Sequence, residues 1–229
     1  MDNLDSLLSA SEKLLLNVKM NLDTKQEEYF LHAITDSLLK AVLQNDDAKK
    51  TFWINIYNAY YQILANQSLY NRKNIFSTKV IRIASNYFSL DDIEHGILRK
   101  NRWKWSFGYL KNPYASALLQ DLEVKTIDFR IHFALNCGAK SCPPIAFYNF
   151  EKIDQQLTDA AHSFLEQETT VDHNAKTIST SKLLHWYRAD FGGTKGIKKI
   201  LQDVLNVNTT PYNISFKPYS WDPHLENYS

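Results

Sequence analysis

The densest run of chemically capable side chains in this 229-residue sequence is Arg130-Ile131-His132-Phe133-Ala134-Leu135-Asn136-Cys137-Gly138-Ala139-Lys140-Ser141-Cys142-Pro143-Pro144. It holds both cysteines, a histidine five residues before the first of them, and an arginine at its head. A thiol beside an imidazole is the pair that nucleophilic acyl chemistry uses: the base removes the proton and the thiolate attacks a carbonyl. Alternation places Ile131, Phe133 and Leu135 on one face and Arg130, His132 and Asn136 on the other, so a half-buried strand is predicted over 129–136. In an extended chain His132 and Cys137 would lie ~17 Å apart at ~3.3 Å per residue. A dyad therefore requires a turn at Asn136, which Gly138 makes easy. Strand parity puts Cys137 on the apolar face, where a cysteine behaves as a small hydrophobe. Cys142 follows a loop able to fold back toward His132.

Two further sets accompany it. Asn55, Asn58, Gln62 and Asn66 form an amide stripe on an otherwise aromatic and aliphatic helix. Such a stripe is either a solvated face or a set of buried amides that fixes a loop or ligand, and buried amides must be hydrogen-bonded. Asp91, Glu94, His95 and Arg99 share a second helix. Asp91–His95 and His95–Arg99 are i,i+4 pairs, ordinary on a helix surface, while burial would tune Glu94 or His95 toward general acid–base work. Cys137, Cys142, His132 and His95 offer four metal ligands, but their spacing matches no zinc pattern. The chain has no glycine-rich phosphate loop, G-x-S-x-G elbow or H-E-x-x-H motif, so neither metal nor cofactor is expected.

The elements that must position these groups read as follows. The first 70 residues are helical, with Leu31, Ile34, Leu38 and Val42 forming an amphipathic stripe. Asp46 and Asp47 are the expected cap of the next helix, which runs through Trp53, Ile56, Tyr60 and Leu64. Residues 51–71 carry no charge, but Asn55, Asn58, Gln62, Asn66, Gln67 and Ser68 interrupt them, so the segment reads as a buried helix and not as a membrane span. A hairpin is predicted around Ser85-Asn86, and Ser89-Leu90-Asp91-Asp92 resembles a capping box leading a helix to Arg99. A Trp-rich irregular stretch, 101–121, precedes the strand at 129–136. A helix over 151–168 follows, then two short strands turning at Asp172-His173-Asn174, a helix from Ser181 through Tyr187, a break at Gly192-Gly193, a helix over 195–206 and a closing strand at Ile214–Lys217.

The size suits one domain with a real core, fed by 13 Tyr and 12 Phe residues. A net charge of +1 removes the electrostatic case for nucleic acid or an anionic membrane. Residues 1–20 show no apolar leader, so the sequence reads as cytoplasmic, or as exported if a leader has been trimmed from it. In the cytoplasm both thiols should be reduced.

Taken together, Phe52-Trp53-Ile54-Asn55-Ile56-Tyr57-Asn58-Ala59, Ser89-Leu90-Asp91-Asp92-Ile93-Glu94-His95-Gly96-Ile97-Leu98-Arg99 and the run 130–144 resemble the domain of unknown function 547 family. Ser181-Lys182-Leu183-Leu184-His185-Trp186-Tyr187-Arg188-Ala189-Asp190-Phe191-Gly192 and Tyr219-Ser220-Trp221 fit its end, so the resemblance covers roughly 50–221. It implies signature residues at Asn55, Asn58, Glu94, His95, Arg99, His132, Cys137 and Cys142, and no assigned activity.

The expected fold is α+β: a helix-rich single domain around a small antiparallel sheet, of papain- or transglutaminase-like kind. Residues 1–46 form a helical segment packed on a domain over 47–229. The expected function is a cysteine-dependent hydrolase or acyl transferase acting on a small peptide or thiol peptide. Cys137 or Cys142 would be the nucleophile, with His132 as base and Glu94 orienting it or handling a substrate amine. Asn55 or Asn58 would stabilise the oxyanion, and Arg99 or Arg130 would hold a carboxylate. Asn55, Asn58, His95, Arg99 and Arg130 are thus the candidate substrate-binding set. The rival is a non-catalytic module that binds a small molecule or peptide in the same pocket.

Overall fold

The computed structural model describes residues 3–67, 69, 71 and 73–228. Four helices open the chain: α1 (Asn3–Lys19), α2 (Lys25–Ala33), α3 (Asp36–Val42) and α4 (Asp46–Ala65). The stripe from Leu31 to Val42, expected on one helix, is split between α2 and α3. Thr35 adopts extended backbone and its Oγ1 accepts the Leu38 N–H at 3.2 Å, so local capping overrides the periodicity. Asn45, not Asp46, caps α4, accepting the Ala48 N–H at 2.7 Å. Asp46 and Asp47 occupy the first turn instead, at the positive end of the helix dipole.

From Ala48 to Gln62 every residue of α4 is buried. That makes α4 the axis of the first core, on which Leu7, Leu8, Leu14 and Leu15 of α1 pack. The uncharged run ends at residue 71; Ser68 and Tyr70 within it lie outside the described residues.

The hairpin is present as β1 (Ile81–Ile83) and β2 (Asn86–Phe88). The Ser89–Asp92 capping box is reciprocal: Ser89 N–H donates to Asp92 Oδ2 at 2.9 Å, and Asp92 N–H donates to Ser89 Oγ at 3.0 Å. What it starts is a π-helix, Asp92–Leu98, bonded i→i+5 through Arg99 N–H to Glu94 C=O at 2.9 Å and Asn101 N–H to Gly96 C=O at 2.7 Å. Within the Trp-rich stretch a short α5 (Ala117–Leu122) packs on this π-helix.

The strand expected at 129–136 is absent. Phe129–Phe133 is a 3-10 helix capped by Asp128, whose Oδ1 accepts the Arg130 N–H at 3.1 Å. The alternation is overridden locally, since the Asp128 cap starts a turn with three residues per repeat. The consequence is that Phe129 and His132 share a side, and both rings pack on Phe191, at 5.5 and 5.4 Å.

The remainder is α6 (Ile153–Glu168), β3 (Thr170–Asp172), β4 (Thr177–Thr180), α7 (Leu183–Trp186), α8 (Gly193–Leu205) and β5 (Asn213–Phe216). The sheet is not wholly antiparallel: β3 and β4 form a hairpin, but β5 pairs parallel to β4. The reason is the helical crossover through α7 and α8, which returns the chain to the sheet in the same direction. Ile153 and Leu157 of α6 join the first core, while Ala161, Phe164 and Leu165 join a second built with Phe133, Ile178, Leu184, Phe191 and Ile197. The domain is therefore α+β, with two apolar clusters sewn together by α6. Among the described residues no helix is long and apolar enough to cross a membrane.

Candidate functional site

The charged residues of the π-helix meet the 3-10 helix and the segment after α7 where the two clusters adjoin. Tyr187 is the hub. His132 stacks on its ring with centroids 3.9 Å apart and planes 16° from parallel, and the Arg99 guanidinium lies 4.6 Å from its centroid. Its hydroxyl donates to Glu94 Oε1 at 2.7 Å, and Tyr57 donates to Glu94 Oε2 at 3.3 Å. Asp190 Oδ2 accepts from Arg99 Nε–H at 2.6 Å and from His132 Nε2–H at 2.9 Å. Arg99 Nη1–H donates to His95 Nδ1 at 2.7 Å, and because arginine cannot accept, His95 Nδ1 must be unprotonated.

Burial sets the charge states. It pushes the His95 and His132 imidazoles below their usual pKa, despite the pull of Glu94 on one and Asp190 on the other, so both rings are neutral near pH 7. Burial also opposes ionisation of Glu94 and Asp190. The neighbouring His95 and Arg99 overcome it for Glu94, as do the His132 and Arg99 hydrogen bonds for Asp190, and both carboxyls stay below their ordinary range. Tyr57 and Tyr187, buried beside the Glu94 carboxylate, are held well above theirs and remain hydrogen-bond donors.

This network floors a cleft of about 410 Å³ that Asp91, Glu94, His95 and Cys137 reach from one side. Trp105, Phe107, Trp186, Tyr187, Tyr219 and Trp221 supply the walls. Lys104 also lines the cleft, with its Nζ 2.6 Å from Asp91 Oδ2. Trp186 and Trp221 stack at 5.6 Å, with Tyr219 against both, while Trp105 and Phe107 are exposed.

The two sulfurs, expected as free thiols, are joined in a Cys137–Cys142 disulfide with Cα atoms 6.2 Å apart. Gly138, at φ +67°, turns the chain tightly enough to bring them together. The C-terminal segment then clamps the loop, through Lys140 N–H to Asp222 C=O, Ser141 N–H to Ser220 C=O and His224 N–H to Gly138 C=O. No thiolate is available in this state, and His132 turns to Asp190 and not to either sulfur. The strand parity that separated His132 from Cys137 does not apply, since no strand is present.

The amide stripe is buried at Asn55, Asn58 and Gln62, and exposed at Asn66, so most of it is not a solvated face. Its amides hold backbone. Asn55 donates to Tyr148 C=O at 2.8 Å and accepts its N–H at 3.1 Å; Asn58 donates to Ala134 C=O at 2.9 Å and accepts the Asn136 N–H at 2.9 Å. Both side chains are fully buried on these backbone partners, and neither borders the aromatic cleft. Arg130 also lies apart from the cleft, forked onto Asp128 at 2.9 and 2.7 Å and reaching Asp154 and Thr158. Arg99 is buried against Asp190 and His95, not presented to a substrate carboxylate. Glu94, His95 and Cys137 do line one cleft.

Sequence reasoning missed Tyr57, Tyr187, Asp190 and Tyr219. The visible signal was Asp190, an acid in the aromatic segment Trp186-Tyr187-Arg188-Ala189-Asp190-Phe191. Among the described residues no group of three or more His, Cys, Asp or Glu side chains is arranged to hold a metal ion.

Fold and site together define an α+β domain with an aromatic-walled cleft over a buried carboxylate–imidazole–guanidinium network. The family described as Protein of unknown function, DUF547, matches residues 41–165, more than half of the chain, and the chain belongs to that family. The matched span carries Glu94, His95, Arg99, His132 and both cysteines; Tyr187, Asp190 and Tyr219 lie beyond it. No curated protein and no solved structure matched the chain.

Proposed function

We propose that the chain is a binding module that takes a small molecule or short peptide into the aromatic cleft. The observation that carries this reading is the cleft itself: a space of about 410 Å³ lined by eight aromatic residues together with the carboxylates of Asp91 and Glu94. Apolar walls with a few convergent polar groups are the usual make-up of a small-ligand site. The ligand that fits has a planar or apolar body and an amine or other donor for the carboxylates.

Three tryptophans in the walls, Trp105, Trp186 and Trp221, provide the test. Titration with phenylalanine-containing dipeptide amides is expected to change tryptophan fluorescence saturably and to raise the melting temperature, since a ligand of the native state stabilises it. Trp105→Ala removes an exposed wall and should weaken binding about 30-fold, the equivalent of a ~2 kcal/mol anchor, with the melting temperature of the free protein unchanged. A linear, non-saturating response in the parent protein would overturn the reading.

Cys137 in the same cleft as Glu94 and His95 favours a second reading. Reduced, its thiolate would act as the nucleophile of a cysteine-dependent hydrolase or acyl transferase, in a papain- or transglutaminase-like manner. His95 also borders the cleft, and it could serve as base only after its Nδ1 lone pair is released from the Arg99 Nη1–H. Turnover of a peptide thioester by reduced protein, lost in Cys137→Ser, would favour it; equal rates in the two would exclude it.

A further inference from the structure

The Cys137–Cys142 bridge is built unequally at its two ends. Cys137 is half-buried and borders the aromatic cleft, with a second cavity of about 230 Å³ on its other side against Tyr61 and Phe76. Cys142 is only 6% exposed, at the edge of a separate opening beside Lys140 and His224. Its sulfur nevertheless has two donors within reach: the Cys137 backbone N–H at 3.1 Å, which Cys142 alone receives, and the Tyr219 hydroxyl, which spans the bridge at 3.1 Å from Cys142 Sγ and 3.3 Å from Cys137 Sγ. A disulfide sulfur carries no proton, so Tyr219 is the donor here. Two donors converging on one sulfur are of little use to a neutral disulfide, but they suit a thiolate.

We propose that this disulfide is a thiol-exchange site, at which a small thiol in the aromatic cleft attacks Cys137 Sγ and Cys142 departs as a thiolate held by the Cys137 N–H and the Tyr219 hydroxyl. The incoming thiolate's electron pair forms the new S–S bond to Cys137, and the pair of the old bond stays on Cys142. A second small thiolate attacks the thiol-derived sulfur of the mixed disulfide and releases Cys137. The sum oxidises two small thiols to one disulfide by two electrons and reduces the protein bridge to two thiols, which take up the two protons. A leaving sulfur stabilised as its anion departs faster, and so the donors set which end opens.

The loop is prepared for the reverse step. Cys142 N–H donates to Ala139 C=O at 2.9 Å, and the clamps from Lys140 to Asp222 and Ser141 to Ser220 do not involve the sulfurs. Opening the bridge thus leaves Cys142 close to Cys137, ready to expel the bound thiol. The exchange needs the cleft only as an approach to Cys137, so it is independent of whether the cleft also holds a peptide.

The test uses the full chain and 2-mercaptoethanol, with acid quench, alkylation of free thiols and peptide mass mapping. The expected adduct is on Cys137, with Cys142 free, formed about tenfold faster per thiolate in native protein than in the same protein unfolded by urea. Tyr219→Phe, which keeps the ring and removes the donor, should slow opening several-fold and raise the pKa of the Cys142 thiol in the mixed disulfide. Adduct on Cys142, an equal division between the two, or opening only after unfolding would overturn the proposal, as would an unchanged rate in Tyr219→Phe. The wild-type mapping decides the question should that variant fail to fold. Failure of the dipeptide titration alone would leave the exchange standing.

Discussion

His132 and Asp190 lie 58 residues apart in sequence, yet their side chains meet at 2.9 Å, and the same Asp190 oxygen takes the Arg99 Nε–H at 2.6 Å. One carboxylate thus ties the π-helix, the 3-10 helix and the segment after α7 together at the junction of the two cores. Asp190→Asn removes the only anion in direct contact with the Arg99 side chain among the described residues and leaves a buried cation. The expected loss is ~3–5 kcal/mol, the range for breaking one side of a buried pair. Urea unfolding measures it, and a loss below ~1 kcal/mol would contradict the assignment.

The histidines give the fold a pH dependence near neutrality. His95 and His132 both have folded pKa values below the ordinary 6.5, so the unfolded chain binds more protons than the folded one once the pH drops past that value. Their contribution is fully present above pH 6.5 and is lost as pH falls toward the folded values. The melting temperature should therefore decline between pH 7.5 and 5.5, and decline less in His132→Gln.

A second acid step belongs to Asp128. Burial would raise its pKa, but the Arg130 and Lys50 contacts bring it down to about 2 from 3.8. That stability is present above pH 3.8 and disappears as pH falls through about 2, a contribution of order 2 kcal/mol. Urea midpoints at pH 5, 4, 3 and 2 for the parent and Asp128→Asn would separate this step from the histidine one; parallel curves below pH 4 would refute it.

Asn58→Ala should be costly without touching the cleft. It strands the Ala134 C=O and the Asn136 N–H, each buried, at about 1–3 kcal/mol per group. Asn66→Ala, at the exposed end of the same stripe, should change stability by less than ~0.5 kcal/mol.

Gly138→Ala tests the turn that joins the sulfurs. A Cβ there would sit 2.5 Å from Tyr61 Cε1 and 2.7 Å from its hydroxyl, at a backbone φ of +67°. The variant should be destabilised by at least ~1 kcal/mol through αL strain alone, and a larger fraction of it should label with iodoacetamide because the bridge closes less readily. Parent-like stability and labelling would show that the turn relaxes freely.

Local rules carried the sequence reading where one short signal decides the structure. The Ser89–Asp92 capping box, the Ser85-Asn86 hairpin and the helix expected over 151–168 are all of this kind, because the groups that form them are neighbours in the chain. The site was legible in its ingredients: Glu94, His95 and Cys137 were named and share a cleft. Its wiring was not legible. Nothing near His132 says that its partner is Asp190, and the strand-like alternation of 129–133 was overridden by the Asp128 cap. The partners of Asn55, Asn58 and Arg130 were hidden for a related reason, since an amide or guanidinium that could hold substrate could equally hold backbone or Asp128. The parallel pairing of β5 depended on a crossover through two helices, which no short window contains.

The wide turns of Asp92–Leu98 amount to an α-helical segment carrying one surplus residue. Because Arg99 N–H already reaches Glu94 C=O, excising Gly96 would shorten that link from i→i+5 to i→i+4 and leave the chain on either side in register. The same excision from the middle of α6 would turn every later side chain by about 100°. The segment is thus a stretch where the fold can survive the loss of a residue while the site does not: His95 would move from four residues before Arg99 to three, and the imidazole–guanidinium contact over the cleft floor would be displaced.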